Sequence, residues 1–96
     1  MKITRIVRMY FKEEERANFL AIFQEKQTKI SGFEGCLDVN LYADLAVPNV
    51  CTTISIWESA EALEAYRNSE LFITTWKRVK PLFSQKAEAV SYVLQD

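Results

Sequence analysis

The sequence predicts an α+β fold in which a four-stranded antiparallel sheet carries helices on one face. Apolar residues alternate at period two in four segments and recur at helical period in three others. The seven segments follow one another as β-α-β-β-α-α-β, without repeats or linkers. A two-layer sandwich is the simplest way for that order to bury its apolar faces.

Residues Ile3 to Tyr10 form the first strand, with Ile3, Arg5, Val7 and Met9 on one face and Thr4, Ile6, Arg8 and Tyr10 on the other. From Lys12 the period lengthens, and Phe19, Leu20, Phe23, Gln27 and Ile30 share one helical stripe. Glu13, Glu14 and Glu15 suit the positive end of this helix, and Lys26 and Lys29 the negative end. Gly32 is placed to close it in the left-handed conformation, so the helix runs from about Glu13 to Ser31. Gly35 to Ala43 and Val50 to Trp57 pair as a hairpin interrupted by Pro48 and Asn49. Folded near Val47, it sets Tyr42 opposite Cys51 and Cys36 opposite Trp57, and gives strand two a buried face of Leu37, Val39 and Leu41. Ser59 caps a helix that buries Leu63 and Tyr66. Asn68 and Ser69 end it and cap another, whose stripe is Phe72, Thr75, Trp76 and Val79 and which stops near Pro81. Ala87 to Leu94 is the last strand, completing a ferredoxin-like sandwich.

Composition bounds what the fold can do. At 96 residues and 49% hydrophobic content, residues 1–96 make a single domain whose own core is small. Strand three presents Val50, Thr52, Ile54 and Ile56 on one side and Cys51, Thr53, Ser55 and Trp57 on the other, and neither side is strongly hydrophilic. Helices cover one face, so a second copy is expected on the other, as a homodimer. A net charge of −1 gives no basis for a nucleic-acid or anionic-membrane partner. No apolar run approaches the roughly 20 residues of a membrane helix, and no leader core separates Lys2 from Arg5, which points to a cytoplasmic protein.

The chain contains no histidine. Zinc, haem and base-activated nucleophile chemistry, which usually draw on it, are therefore not expected. The two cysteines fall about 20 Å apart along the predicted hairpin at roughly 3.3 Å per residue, beyond disulfide reach, and are read as reduced. Trp57 is the leading candidate for a ligand-stacking wall, against the alternative of a core plug at the strand-to-helix junction. Thr53 and Ser55 share its face and supply hydroxyls. Tyr66, Phe72 and Trp76 come from the facing helices, where core packing is the competing explanation. Arg5 and Arg8 point to opposite faces, so one of them enters the helix side, where it can hold a phenolate or enolate oxygen. A salt bridge, for instance to Asp38, is the alternative. Tyr66, Tyr42 and Asp38, or a buried arginine acting as electrostatic stabiliser, are the candidates for the acid–base role.

At Ile30-Ser31-Gly32-Phe33-Glu34-Gly35, at Trp57-Glu58-Ser59 with Ala62, Leu63 and Tyr66, and at Ser69-Glu70-Leu71-Phe72, the chain resembles the antibiotic biosynthesis monooxygenase domain family. The resemblance spans nearly all the elements. It implies a dimeric α+β barrel of sheets packed face to face, with a ligand cleft between sheet and helices in each copy. In the polyketide-oxidising branch it further implies oxygen insertion into a phenolic ring system without metal, flavin or haem, the substrate's own carbanion reducing dioxygen. Trp57 matches that branch's pocket tryptophan, whereas Thr53, Leu63 and Phe72 stand where it carries Asn, Tyr and Arg. The haem-degrading branch has its ligating histidine where this chain has Trp76, and its asparagine where this chain has Val7, so haem degradation is not expected. The resemblance therefore implies a cofactor-independent monooxygenase acting on a small aromatic or quinol-like substrate. A non-catalytic dimeric module that binds a small hydrophobic molecule, or serves as a scaffold, is the alternative.

Overall fold

A computed structural model describes residues 1–95. Strand β1 (Ile3–Phe11) leads through a 3-10 turn at Glu13–Glu15 into α1 (Arg16–Ser31). Strands β2 (Cys36–Ala43) and β3 (Val50–Trp57) follow as a hairpin. Helices α2 (Ala60–Arg67) and α3 (Glu70–Val79), a 3-10 turn at Lys80–Leu82 and β4 (Phe83–Val93) complete the ferredoxin-like order. The sheet runs β2-β3-β1-β4 with all neighbours antiparallel, so β3 inserts between the two strands that α1 connects.

Local chemistry sets the helix starts. The Ser59 hydroxyl accepts the Ala62 amide at 3.0 Å and the Ser69 hydroxyl accepts the Phe72 amide at 3.1 Å, satisfying one orphan donor at the start of α2 and of α3. The break between the two helices is tied down as well. Asn68 donates from its side chain to the Glu64 carbonyl, and the Ser69 hydroxyl donates to that of Tyr66.

The helices bury one sheet face in two clusters. Val7, Met9, Phe11, Phe19, Cys51, Val79 and Leu82 form one, at the end of the sheet where β1 finishes. Ile3, Ile30, Val39, Trp57, Leu63 and Tyr66 form the other, at the end where β1 begins. Phe23 of α1 packs against both. Across the opposite face run the registered rows Asp38–Ile56–Thr4–Tyr92, Asn40–Ile54–Ile6–Val90 and Tyr42–Thr52–Arg8–Glu88. Tyr42, Val90 and Tyr92 are exposed there.

Several boundaries differ from the sequence expectation. The three glutamates form a 3-10 turn ahead of α1, and β4 begins at Phe83 instead of Ala87 because Phe83 pairs with Phe11 and packs against its ring at a tilt. Gly32 is right-handed at φ −86°; the left-handed glycine is Gly35, at φ +88°. A bulge between Cys36 and Asp38 leaves Cys36 opposite Trp57 but sets Tyr42 opposite Thr52, with Ala43 opposite Cys51. The same bulge turns Leu37 out, so it is 50% exposed while Val39 is buried. Both cysteines are free thiols. No helix among the described residues is long and apolar enough to cross a membrane.

Gly35 fixes how closely the β2 entry meets α2. A Cβ at this position would lie 2.4 Å from the Ala62 Cβ, and the positive φ strains any L side chain. Gly35→Ala is expected to cost about 2–4 kcal/mol, combining backbone strain and overpacking. Urea denaturation checks this, an unchanged midpoint being the contrary result.

Candidate functional site

The two core clusters do not meet across the whole sheet. Between them the helix-facing side carries the rows Val39–Ser55–Arg5–Ser91 and Leu41–Thr53–Val7–Ala89, in which short or polar side chains occupy the central strands. A helix pair bridging a sheet cannot follow so local a dip, and a cavity of about 90 Å³ remains. Arg5, Thr53, Ser55, Trp57, Tyr66, Phe72 and Trp76, the seven residues singled out from sequence, all line it. Thr75, Phe19, Phe23 and Met9 are among the further lining residues that sequence reasoning did not assign to a site. Each of these four sits on a regular core stripe, so no sequence signal distinguishes it from packing.

Trp57 is fully buried in the core and also forms a wall of the cavity. Its indole N–H donates to the Ser55 hydroxyl at 3.0 Å. Its ring stacks on Tyr66, with centroids 4.7 Å apart, and meets Phe33 edge-on. The aromatic wall continues through Tyr66–Phe72 at 5.2 Å, Phe72–Trp76 at 5.9 Å and Trp76–Phe83 at 5.5 Å. Such contacts bind neighbouring elements through large buried areas with defined geometry. The wall is therefore rigid where β3 and α2 supply it and rests on α3 elsewhere.

The polar inventory is short. The Arg5 guanidinium makes no hydrogen bond or ion pair among the described residues; burial, then the Arg67 cation, lowers its pKa, against the smaller influences of Tyr66 and Glu64. A guanidinium remains charged at neutral pH even so. Tyr66 is pushed up to about 12, chiefly by burial, so at neutral pH its phenol is protonated. The Thr75 Oγ1 is buried without a hydrogen-bond partner. Among the described residues no carboxylate lines the cavity.

Two acid–base candidates fall on the wrong side of the sheet. Asp38 and Tyr42 occupy the open-face rows, where Asp38 accepts from Asn40 at 3.0 Å. Arg8, on that same face, pairs with Asp44 at 3.4 Å, not with Asp38, and its Nε donates to the Tyr10 hydroxyl. Tyr10 in turn donates to Glu88. Among the described residues no group of histidine, cysteine, aspartate and glutamate is arranged to hold a metal ion.

Comparison with known proteins gives the same architecture. A family profile described as antibiotic biosynthesis monooxygenase matches residues 2–78. No functionally curated protein matches the sequence. Among solved structures, a conserved protein from Methanosarcina mazei superposes with a TM-score of 0.92 at 20% identity, covering 96% of this chain and 91% of that one. A protein from Mycobacterium tuberculosis superposes at 0.91 with 19% identity, covering 100% and 97%. A variant of SnoaB, a cofactor-independent oxygenase from Streptomyces nogalater, superposes at 0.87 with 15% identity, covering 99% and 94%. At these identities the structures share the fold.

Two measurements check the energetics of the wall. Ser55→Ala leaves the buried indole N–H unpaired and is expected to lower stability by about 1–3 kcal/mol. The raised Tyr66 pKa means the folded state retains a proton that the unfolded state releases above its ordinary value near 10. That contribution is intact below about pH 10 and is lost from there to about pH 12, at about 1.4 kcal/mol per pH unit. Tyr66→Phe is expected to remove this alkaline component. Denaturation curves of the two proteins that stay parallel from neutral to high pH would contradict it.

Proposed function

The chain belongs to the antibiotic biosynthesis monooxygenase family, and from that premise we propose that it is a cofactor-independent monooxygenase of a small aromatic or quinol-like substrate bound in the Trp57 cavity. One observation carries the reading: a single unpaired cation, Arg5, faces an otherwise largely apolar cavity walled by aromatic rings. A phenolate or enolate oxygen set against that guanidinium gains a charge-assisted hydrogen bond in surroundings that screen it weakly. Its ring fills the space between Trp57 and the α3 aromatics.

The chemistry follows from the ionised ring. A ring carbon conjugated with the anionic oxygen transfers electrons to dioxygen and forms a hydroperoxide. Loss of water then leaves a carbonyl, one oxygen atom ending in the product and one in water. The substrate supplies the electrons, so the cavity's tasks are to hold the anion, orient the ring and exclude solvent. A cation close by lowers an acidic group's pKa by about 1–3 units. Arg5 can thus favour ionisation of a substrate that is already fairly acidic.

The absence of a carboxylate from the lining, together with the protonated Tyr66, favours a second reading in which the same cavity binds a small hydrophobic molecule without turning it over. The two readings differ in oxygen consumption. Uptake is expected to exceed the spontaneous rate with quinols, less with naphthols and least with anthrones, because a cavity of about 90 Å³ is on the scale of one ring. Arg5→Gln is expected to lower the rate by about tenfold or more through loss of anion stabilisation. No uptake above background with any of the three classes would leave the binding module.

The open sheet face is assigned to a homodimer on the same premise. Ile6, Ile54, Ile56, Val90 and Tyr92 occupy adjoining register positions there, the last two exposed and the three isoleucines partly so. Burying that face in a second copy supplies the core that a chain of this length lacks by itself. Light scattering is expected to give twice the 11.1 kDa chain mass, and Ile54→Glu to halve it. A wild-type protein of monomer mass would remove this assignment.

A further inference from the structure

Thr74 and Thr75 are adjacent on α3, yet their hydroxyls behave differently. Thr74 Oγ1 donates to the Glu70 carbonyl at 2.8 Å, the local bond a helical threonine ordinarily makes. Thr75 Oγ1 is buried, makes no such bond, and belongs to a residue lining the cavity. A buried hydroxyl that forgoes the carbonyl one turn back is an exception to the general satisfaction of buried polar groups. Its placement beside a cavity gives the exception a use.

Arg5 lines the same cavity and enters from the opposite layer, a partly buried cation with no hydrogen bond to the described residues. Arg5 rises from the sheet at β1, while Thr75 belongs to the helical layer. Of the two sheet hydroxyls in the lining, Thr53 and Ser55, the deeper one, Ser55, already accepts the Trp57 indole N–H. An apolar cavity of roughly 150 Å³ holds one benzene-sized ring, so about 90 Å³ here admits no more than one ring. We infer that the ligand is a monocyclic aromatic with two polar substituents, an ionised oxygen held by Arg5 and a hydrogen-bonding group held by the Thr75 hydroxyl. Thr75 thereby selects the substitution pattern of the ring, and Arg5 selects its charge. This rests on the cavity being the ligand site, as proposed above.

Ortho-, meta- and para-nitrophenol test both halves. Each has one ring, one acidic hydroxyl and one acceptor group, and at alkaline pH all three are ionised. The chain's two tryptophans, Trp57 and Trp76, both line the cavity and report binding by fluorescence quenching. One isomer is expected to bind about tenfold more tightly than the others, the value of one well-made buried hydrogen bond. Thr75→Val should erase that preference and Thr75→Ser restore it, while Arg5→Gln weakens all three isomers alike. If the isomers bind equally, or the preference survives Thr75→Val, the two-point inference falls and the cavity reading stands. If no isomer quenches saturably, the cavity reading falls and takes the inference with it.

Discussion

The row Val39–Ser55–Arg5–Ser91 is the constraint on which the rest of the structure depends. In a two-layer sandwich the middle of the helix-facing sheet is where large apolar side chains would normally interlock with the helices. Here the two central strands contribute a serine and an arginine at that row, with Thr53 opposite Val7 in the next. The core divides on either side, and Phe23 is one of the side chains that spans the division. The cavity follows from that division and not from a loop or a separate pocket-forming element. Loops usually carry function because they vary without disturbing the core; in this chain the site is built into the core and is as rigid as the core.

Rigidity is concentrated in Trp57. Full burial of an indole, its N–H bond to Ser55 and its stacking on Tyr66 fix the ring from three directions. Ser55 therefore has two roles. As a small side chain it leaves the gap, and as an acceptor it holds the wall beside the gap. The cost of the arrangement is visible in two polar groups: a buried hydroxyl without a partner forfeits about 1–3 kcal/mol, and a half-buried guanidinium is held below its usual pKa by burial and then by the Arg67 cation. The aromatic contacts running from Phe33 to Phe83 offset such terms, each adding about 0.5–1.5 kcal/mol beyond its area. A site of unsatisfied polar groups is thus sustained by the two apolar clusters that flank it.

The fold was legible in the sequence because periodicity and capping agreed. Ser59 and Ser69 cap the helices they precede, and the alternation in β1 assigns Arg5 and Arg8 to opposite faces as observed. The errors arose where one residue changes register. A bulge at Leu37 has no strong sequence signature, and it displaced the hairpin pairing by one residue beyond that point. Gly32 and Gly35 are close enough to compete for the same left-handed turn, and the approach of Ala62 decides between them, a tertiary contact invisible in local pattern. The aromatic members of the cavity lining were singled out because an indole beside Thr53 and Ser55 breaks the usual composition of a core face. Thr75 was missed as a site residue because on a helical stripe it reads as packing; only the contrast with Thr74 sets it apart.

The chemistry the site supports is narrowed more by what the cavity contains than by its family. A general base must lose its proton near neutral pH and reach the reacting atom. Tyr66 fails the first condition, Arg5 cannot act as a base, and Asp38 and Tyr42 lie across the sheet. In the proposed oxygenation, proton removal therefore falls to the substrate's own acidity, assisted by one fixed positive charge. Such assistance is worth more here than at the surface, because the aromatic walls keep the effective dielectric low around the anion. A neutral ring gains from Arg5 only a cation–π contact or an uncharged hydrogen bond, whereas an ionised one adds a charge-assisted bond. In the proposed reading, the partly buried charge of the cavity and its preference for an anion are consequently one property, set by the position of Arg5 in the middle row of the sheet.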